Sequence, residues 1–215
     1  MGNFLRHLFE KERLHDVIEC LTTAMDAKDK YTSGHSNRVA DMTYDIAKEL
    51  GLKGHRLETI HLAAHLHDIG KIGISEKVLN KPGKLSPAEW EEIKRHPEIG
   101  FNILHKSQHM KEISEIVLYH HERWDGKGYP GGLKENQIPP GSRIIAVADS
   151  IDAMTFDRPY RSAMSWADCK REIMKNSGVQ FDPEVVKAMW SVCGKWVFTN
   201  QGPPASNTEK NITNL

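Results

Sequence analysis

HLAAHLHDIGKIG, residues 61–73, decides how the rest of this chain is read. With Ile60 ahead of it, the stretch places Leu62, Ala63, Ala64 and Leu66 at the density of a buried helix, which the sequence predicts to end near Gly70. Late in that helix stand His67 and Asp68, and Lys71 follows just past the glycine. Successive helical residues diverge by about 100°, so one ion gripped by both side chains is awkward. A carboxylate has two oxygens, however, so Asp68 can bridge two ions while His67 serves only one. Two ions roughly 3.5–4 Å apart clamp both the attacking and the leaving oxygen of a phosphoryl displacement.

Further ligand types occur downstream. In HHERWDGKGYP, residues 120–130, two adjacent histidines run into a glycine-rich turn that ends in Gly128-Tyr129-Pro130. A His-His pair at a helix end can turn both rings toward one point, and neutral imidazole is the commonest metal ligand among side chains. Asp149 lies among Ile144, Ile145, Ala146, Val147 and Ala148. A carboxylate is costly to bury there without a partner.

The surrounding pattern is helical throughout. Leu5, Leu8, Leu14, Ile18, Leu21 and Met25 recur at helical spacing over residues 5–29. A second helix starts near Ser36 and stops at Gly51. In SPAEWEEIKRH, residues 86–96, Ser86 is the N-cap, Pro87 takes the first helical position and Glu89 completes a capping box. Pro97 should bend or restart that helix just after His96. A helix over 110–120 delivers His120 at its end, 122–141 is a loop rich in Gly and Pro, and a helix from about 142 carries Asp149. Two more begin at Ser165 and at Asp182-Pro183. No alternating strand pattern of useful length appears, so the fold class is all-α.

Bulk properties exclude several classes. The 215 residues carry 29 basic and 29 acidic side chains, so no net field draws nucleic acid polymer or an anionic membrane. Cys20, Cys169 and Cys193 are widely spaced without a CxxC, which reads as reduced core thiols of a cytosolic protein. No apolar run approaches the ~20 residues of a membrane span. The charged, amphipathic start has no signal-peptide core, and Arg6 stands where a myristoylation signal has Ser or Thr. The expectation is a cytoplasmic protein with a leader over 1–14, one catalytic domain over 15–200 and a polar, disordered tail over 201–215.

Five ordered blocks carry a resemblance: HD-x-x-K at 67–71, His96 in RHPEIG, the segment 120–130, Asp149 in AVADSIDAM, and DRPYR at 157–161. Together they resemble an HD-GYP domain, the bacterial branch of the HD phosphohydrolases that degrades cyclic di-GMP, over about residues 15–190. The resemblance implies an HD-domain helical bundle with a Gly/Pro-rich GYP loop, and a metal-dependent phosphodiesterase. HD-GYP domains usually follow a sensor or receiver domain, for which these 215 residues leave no room, so the leader helix is expected to be a connector or a dimer helix.

The resemblance also implies a site. Its metal ligands are His35, His67, Asp68, His96, His120, His121 and Asp149. One division gives His35, His67 and Asp149 to one ion and His96, His120 and His121 to the other, with Asp68 bridging. Iron or manganese is expected, with nickel or zinc as alternatives for a nitrogen-rich site lacking thiolate. Some members bind a third ion through a glutamate four residues before the histidine matching His35. That position here is Tyr31, which argues for two metals.

Asp68 and Lys71 form the catalytic pair in this reading, and a hydroxide bridging the metals attacks phosphorus in line. Lys71, Arg158, Tyr129 and Gly128 contact substrate, with the Arg158 guanidinium gripping phosphate bidentately. Tyr129 stacks on a guanine or bonds a phosphate, and Asp152 orients a ligand imidazole. The product is pGpG or GMP. Rival readings are hydrolysis of 3′,3′-cGAMP and a catalytically silent cyclic-dinucleotide-binding module. A diguanylate cyclase domain at the GYP loop and a homodimer are the implied partners.

Each residue also has a plainer reading from its local sequence. His67-Asp68 is a polar pair at a helix end, His35 a cap after Gly34, His96 a helix terminator, His120-His121 a surface pair and Tyr129 a packed turn residue. His61 and His65 have the i,i+4 spacing of a zinc HxxxH pair. The family pattern assigns no ligand there, so they are read as packing or supporting residues. His7, His15, His55, His105 and His109 are read as solvated.

Overall fold

The computed structural model describes residues 15–25, 27–29, 34–157 and 162–196. The readings made for the leader over 1–14, for Tyr31, for Arg158 and for the tail over 201–215 lie outside the described residues. α1 covers 15–25. It is followed by α2 (His35–Glu49), α3 (Gly54–Leu66), α4 (Glu76–Leu79), α5 (Pro87–Ile93), α6 (His96–Leu104), α7 (Lys111–Leu118), α8 (Pro140–Thr155), α9 (Trp166–Lys175) and α10 (Pro183–Val192). No strand occurs among the described residues beyond an isolated bridge between Ser177 and Phe181. The all-α expectation holds.

α2 is the central pillar, packed against α3, α8 and α10, while α7 bridges α3 and α6. Their facing side chains, among them Val39, Ile46, Ala63, Leu66, Val117, Ile145, Ile151 and Met189, form one buried core. Cys169 and Cys193 belong to it, whereas Cys20, also expected in the core, is exposed on α1. A hydrogen bond from the Ser142 hydroxyl to the Ile116 carbonyl at 2.7 Å ties α8 to α7. No helix among the described residues is long and apolar enough to cross a membrane.

Start signals were legible. Ser86 and Glu89 form the capping box, Ser165 caps α9 through the Asp168 amide, and Asp182 caps α10 through the Glu184 amide. Gly51, with φ +81, follows α2 as its stop.

Two boundaries fall elsewhere than expected, and both matter for the site. α3 ends at Leu66 instead of near Gly70, and the chain continues as a tight 3-10 turn over Ile69–Gly73. The cause is a close approach. A Cβ on Gly70 would lie 1.9 Å from the His96 carbonyl oxygen and 2.5 Å from the Gly100 amide nitrogen. The turn and α6 therefore touch backbone to backbone, which a continuous α3 would not allow.

The second break lies before His96, not after it. α5 stops at Ile93 and α6 opens with His96 itself, placing Pro97 in its first turn. A proline there needs no amide hydrogen, whereas in mid-helix its ring would clash with the carbonyl four residues back.

Candidate metal centre

Three of the expected ligands share one local device. The last carbonyls of a helix have no partner within it, and a histidine placed there can use one. His67 meets the Ala64 carbonyl through Nδ1 at 2.7 Å, His96 meets that of Ile93 at 2.8 Å, and His120 meets that of Val117 at 2.6 Å. The Ile93 carbonyl is the one left free by the amide hydrogen that Pro97 lacks. A carbonyl only accepts, so each Nδ1 carries the hydrogen and each Nε2 presents a lone pair to the interior.

Those lone pairs converge. His96 and His120 bring their Nε2 atoms to 3.3 Å, and His35 and His67 bring theirs to 3.2 Å. Asp68 stands between the pairs. Its Oδ2 lies 3.4 Å from His67 Nε2 and 3.6 Å from His35 Nε2, and its Oδ1 lies 3.3 Å from His96 Nε2. Asp149 Oδ1 is 3.4 Å from His35 Nε2. The His121 ring sits 4.0 Å from that of His120 and 5.0 Å from that of His96, centroid to centroid.

The donors therefore gather as His35, His67 and Asp68 on one side and His96, His120 and His121 on the other. The break at Leu66 removes the divergence expected for a vicinal His-Asp pair, because Asp68 already has non-helical backbone (φ −96, ψ 5). The donor chemistry fits cations. Nε2 atoms of His96 and His120, both bearing lone pairs, repel at 3.3 Å unless a positive charge lies between them.

The two sides differ electrostatically. On the first, His35 Nδ1 donates to Asp152 Oδ2 at 2.6 Å, and Arg38 clamps Asp152 at 2.6 and 3.1 Å while its guanidinium lies 3.4 Å over the Phe156 ring. Burial opposes charge on His35, but hydrogen bonds to Asp152 and Asp68, with Asp149 nearby, raise its pKa to about 9. On the second side, burial and neighbouring rings push His120 well below the ordinary value and His121 to about 3, and burial also lowers His96. Those three are held in the neutral, ligating form.

Lys71 has a definite place. Its Nζ lies 2.8 Å from Asp68 Oδ2 and 3.1 Å from Asp29 Oδ2. Burial disfavours the ammonium, but the charges of Asp68 and Asp29 outweigh it and raise the Lys71 pKa. Burial would raise Asp68 in turn, yet Lys71 and the surrounding histidines hold it well below the usual carboxylate range. Lys28 Nζ binds the carbonyls of Ile72 at 2.5 Å and Ile74 at 2.8 Å, which fixes the turn that carries Lys71.

The GYP loop is pinned from within and from the turn after α9. Glu122, 3% exposed, accepts from the Gly131 amide at 2.6 Å, and the Trp124 and Asp125 amides donate to the Gln180 and Val179 carbonyls. A Cβ on Gly128 would lie 2.4 Å from the Arg123 amide nitrogen and 2.6 Å from the His121 carbonyl oxygen, so only glycine fits. Tyr129 stacks on His121 at 4.9 Å between centroids, and Lys94 Nζ is 6.0 Å from the tyrosine ring. Thus Gly128 and Tyr129 sit beside the donor cluster.

Sequence reasoning missed Asp29, Arg38 and Glu122. Arg38 follows His35 by one helical turn and Glu122 follows the His-His pair directly, so both had a positional signal; Asp29 had none. His55 is exposed, as expected. His15 is half-buried instead of fully solvated, packing edge-on against His65 with centroids 5.3 Å apart.

A family model described as HD domain matches residues 19–185. The chain is 46% identical over 177 residues to a cyclic di-GMP phosphodiesterase of Thermotoga maritima, covering 81% of this chain and 48% of that protein. It is 40% identical over 176 residues to 3′3′-cGAMP-specific phosphodiesterase 3 of Vibrio cholerae, covering 80% and 38%. The chain thus spans about half, or less, of the length of these relatives. The crystal structure of a cyclic GMP-AMP-specific phosphodiesterase of V. cholerae matches with TM-score 0.67 and 22% sequence identity over 83% of this chain and 48% of that one, a likeness of fold.

Proposed function

The chain belongs to the HD domain family, and from that premise we propose that it hydrolyses a phosphodiester bond of cyclic di-GMP, yielding pGpG or GMP, with two divalent ions. The observation that carries the reading is Asp68, whose two oxygens are directed to two separate imidazole groups. His35, His67 and Asp149 would hold one ion, His96, His120 and His121 the other, and Asp68 would join them. Iron or manganese suits this nitrogen-rich set without thiolate, with nickel or zinc as alternatives. When bound, such a pair supplies a water of lowered pKa and positive charge beside the phosphoryl oxygens.

The chain's own groups prepare that chemistry. Lys71 keeps Asp68 ionised, so both carboxylate oxygens stay available as donors. Its fixed positive charge would also stabilise the negative charge that grows at phosphorus. Asp152 holds the Nδ1 hydrogen of His35 and leaves Nε2 to ligate. Tyr129, backed by His121, offers a ring face for a guanine at the mouth of the site, and Arg158 supplies a guanidinium for a phosphate.

The relative named as cGAMP-specific makes 3′,3′-cGAMP the competing substrate. A catalytically silent module should lack donors, and all seven are present in the sequence. The test is turnover of cyclic di-GMP, linear pGpG and 3′,3′-cGAMP by one manganese- or iron-loaded preparation, with metal content measured alongside. Cyclic di-GMP should be cleaved fastest. Faster cleavage of 3′,3′-cGAMP would move the assignment to that substrate, and no cleavage of either by fully loaded protein would overturn it.

A further inference from the structure

α3 presents histidines in two opposite directions. His67 faces the centre described above, while His65, two residues earlier and so about 200° around the helix, faces away from it. There His61 and His65, one turn apart, meet His15 of α1. The ring centroids are 4.8 Å apart for His61 and His65, 5.3 Å for His15 and His65, and 6.0 Å for His15 and His61. Tyr44 of α2 closes the side at 5.3 Å from His61.

These spacings resemble those of the donor cluster itself, where His35 and His67 stand 5.1 Å apart and His96 and His121 5.0 Å. Three imidazoles around a tetrahedral ion with nitrogen at ~2.0–2.1 Å place their centroids about 5 Å apart. The three nitrogens do not yet point at one centre. Rotation of the half-buried His15 and His61 rings would close them.

His65 supplies the independent observation. It is 5% exposed, and neither ring nitrogen has a hydrogen-bond partner among the described residues. Buried imidazoles ordinarily satisfy both nitrogens, and the other buried rings here do so at least in part: His35, His67, His96 and His120 each have a bonded Nδ1. An orphaned ring beside two further imidazoles is the environment of an ion.

We propose that His15, His61 and His65 form an additional, structural site for a divalent ion of the zinc class, tying α1 to α3. Three imidazoles without thiolate suit zinc, cobalt or nickel. The half-exposed side leaves the fourth position to water. The HxxxH pair comes from one helix and the third ligand from another, so the ion would clip the entering helix onto the domain.

The test uses the full chain, stripped with chelator and dialysed against zinc alone. Compared with the parent, His15→Ala should bind one zinc ion fewer per chain, and the part of the thermal upshift caused by zinc at this site should vanish. Its turnover, measured with manganese restored, should stay within about twofold of the parent, because His15 touches none of the seven ligands. His65→Leu should give the same loss of one ion, which guards against a folding defect in either variant. Equal zinc content in the parent and both variants would overturn the proposal. The count is a difference between parent and variant, so it is independent of the reading of the catalytic centre.

Discussion

The two halves of the metal centre reach the same end by different means. In the His96, His120 and His121 half, Nδ1 of His96 and of His120 is held by a main-chain carbonyl, and burial keeps the rings free of protons. In the His35 and His67 half, His35 is held by a side chain, Asp152, itself held by Arg38, and the accumulated carboxylates favour a proton on the ring. One half is oriented by helix ends and kept neutral by burial. The other shares the helix-end device at His67, but its His35 is held by charge and would have to release a proton before the proposed ion could bind.

Asp68 joins the halves, and its removal should have the largest effect. Asp68→Ala should lower turnover at least about a thousandfold, on the order of 4 kcal/mol of transition-state stabilisation, and release much of the bound metal. Steady-state kinetics with metal analysis checks it, and a fully active variant would end the two-ion account. Gly70→Ala attacks the contact that brings the halves together. With backbone at 1.9 Å from the added Cβ, it should cost more than about 4 kcal/mol, read by denaturant unfolding. A loss under about 1 kcal/mol would mean that the turn and α6 can separate without harm.

The pH dependence of metal binding should separate the halves directly. In the metal-free protein His35 keeps its proton until pH passes about 9. Binding in that half must expel it, so affinity should rise about tenfold per unit from pH 7 to 9. The other half, whose histidines lie below 6.5, should show no such rise over the same window. Titrations at pH 7, 8 and 9 decide it, and parallel behaviour of both ions would erase the distinction drawn here.

Asp152→Asn should weaken one ion of the two by about tenfold to a hundredfold, as loss of such orienting partners does, and flatten its pH dependence. Equal weakening of both ions would contradict the division. The smallest effect is expected from Glu122→Ala, which frees the GYP loop without touching a ligand. KM for cyclic di-GMP should rise several-fold with metal content unchanged, and a loss of metal would show that the loop also holds the ligands in place.

The caps at Ser86, Ser165 and Asp182 and the all-α class could each be read in place. Residue type alone could not pick seven donors out of a chain with twelve histidines; that set was implied by the ordered motifs of the resemblance. The helix break at Leu66 could not be read in place. Apolar periodicity tells which face of a helix is buried, but that break comes from a backbone contact between Gly70 and His96, far apart in the chain. Pro97 did announce the second break, and only its place, before His96 instead of after it, was missed. Arg38 acts on Asp152, far along the chain, so local pattern gives no measure of its partner, and Glu122 meets the Gly131 amide only once the loop has folded back on itself. His65 was harder still, since an unpaired ring nitrogen is a property of the packed interior alone.

The bonds from Nδ1 of His67, His96 and His120 to main-chain carbonyls have a consequence for how such a centre can change over generations. No substitution of a neighbouring side chain can delete those acceptors, so the ligand tautomers pass unaltered through almost any mutation that leaves the helix ends in place. His35 has no such protection, because its acceptor is encoded by a single codon at position 152. Drift and selection can therefore retune His35 through Asp152 and Arg38, while the orientations of His67, His96 and His120 stay nearly invariant.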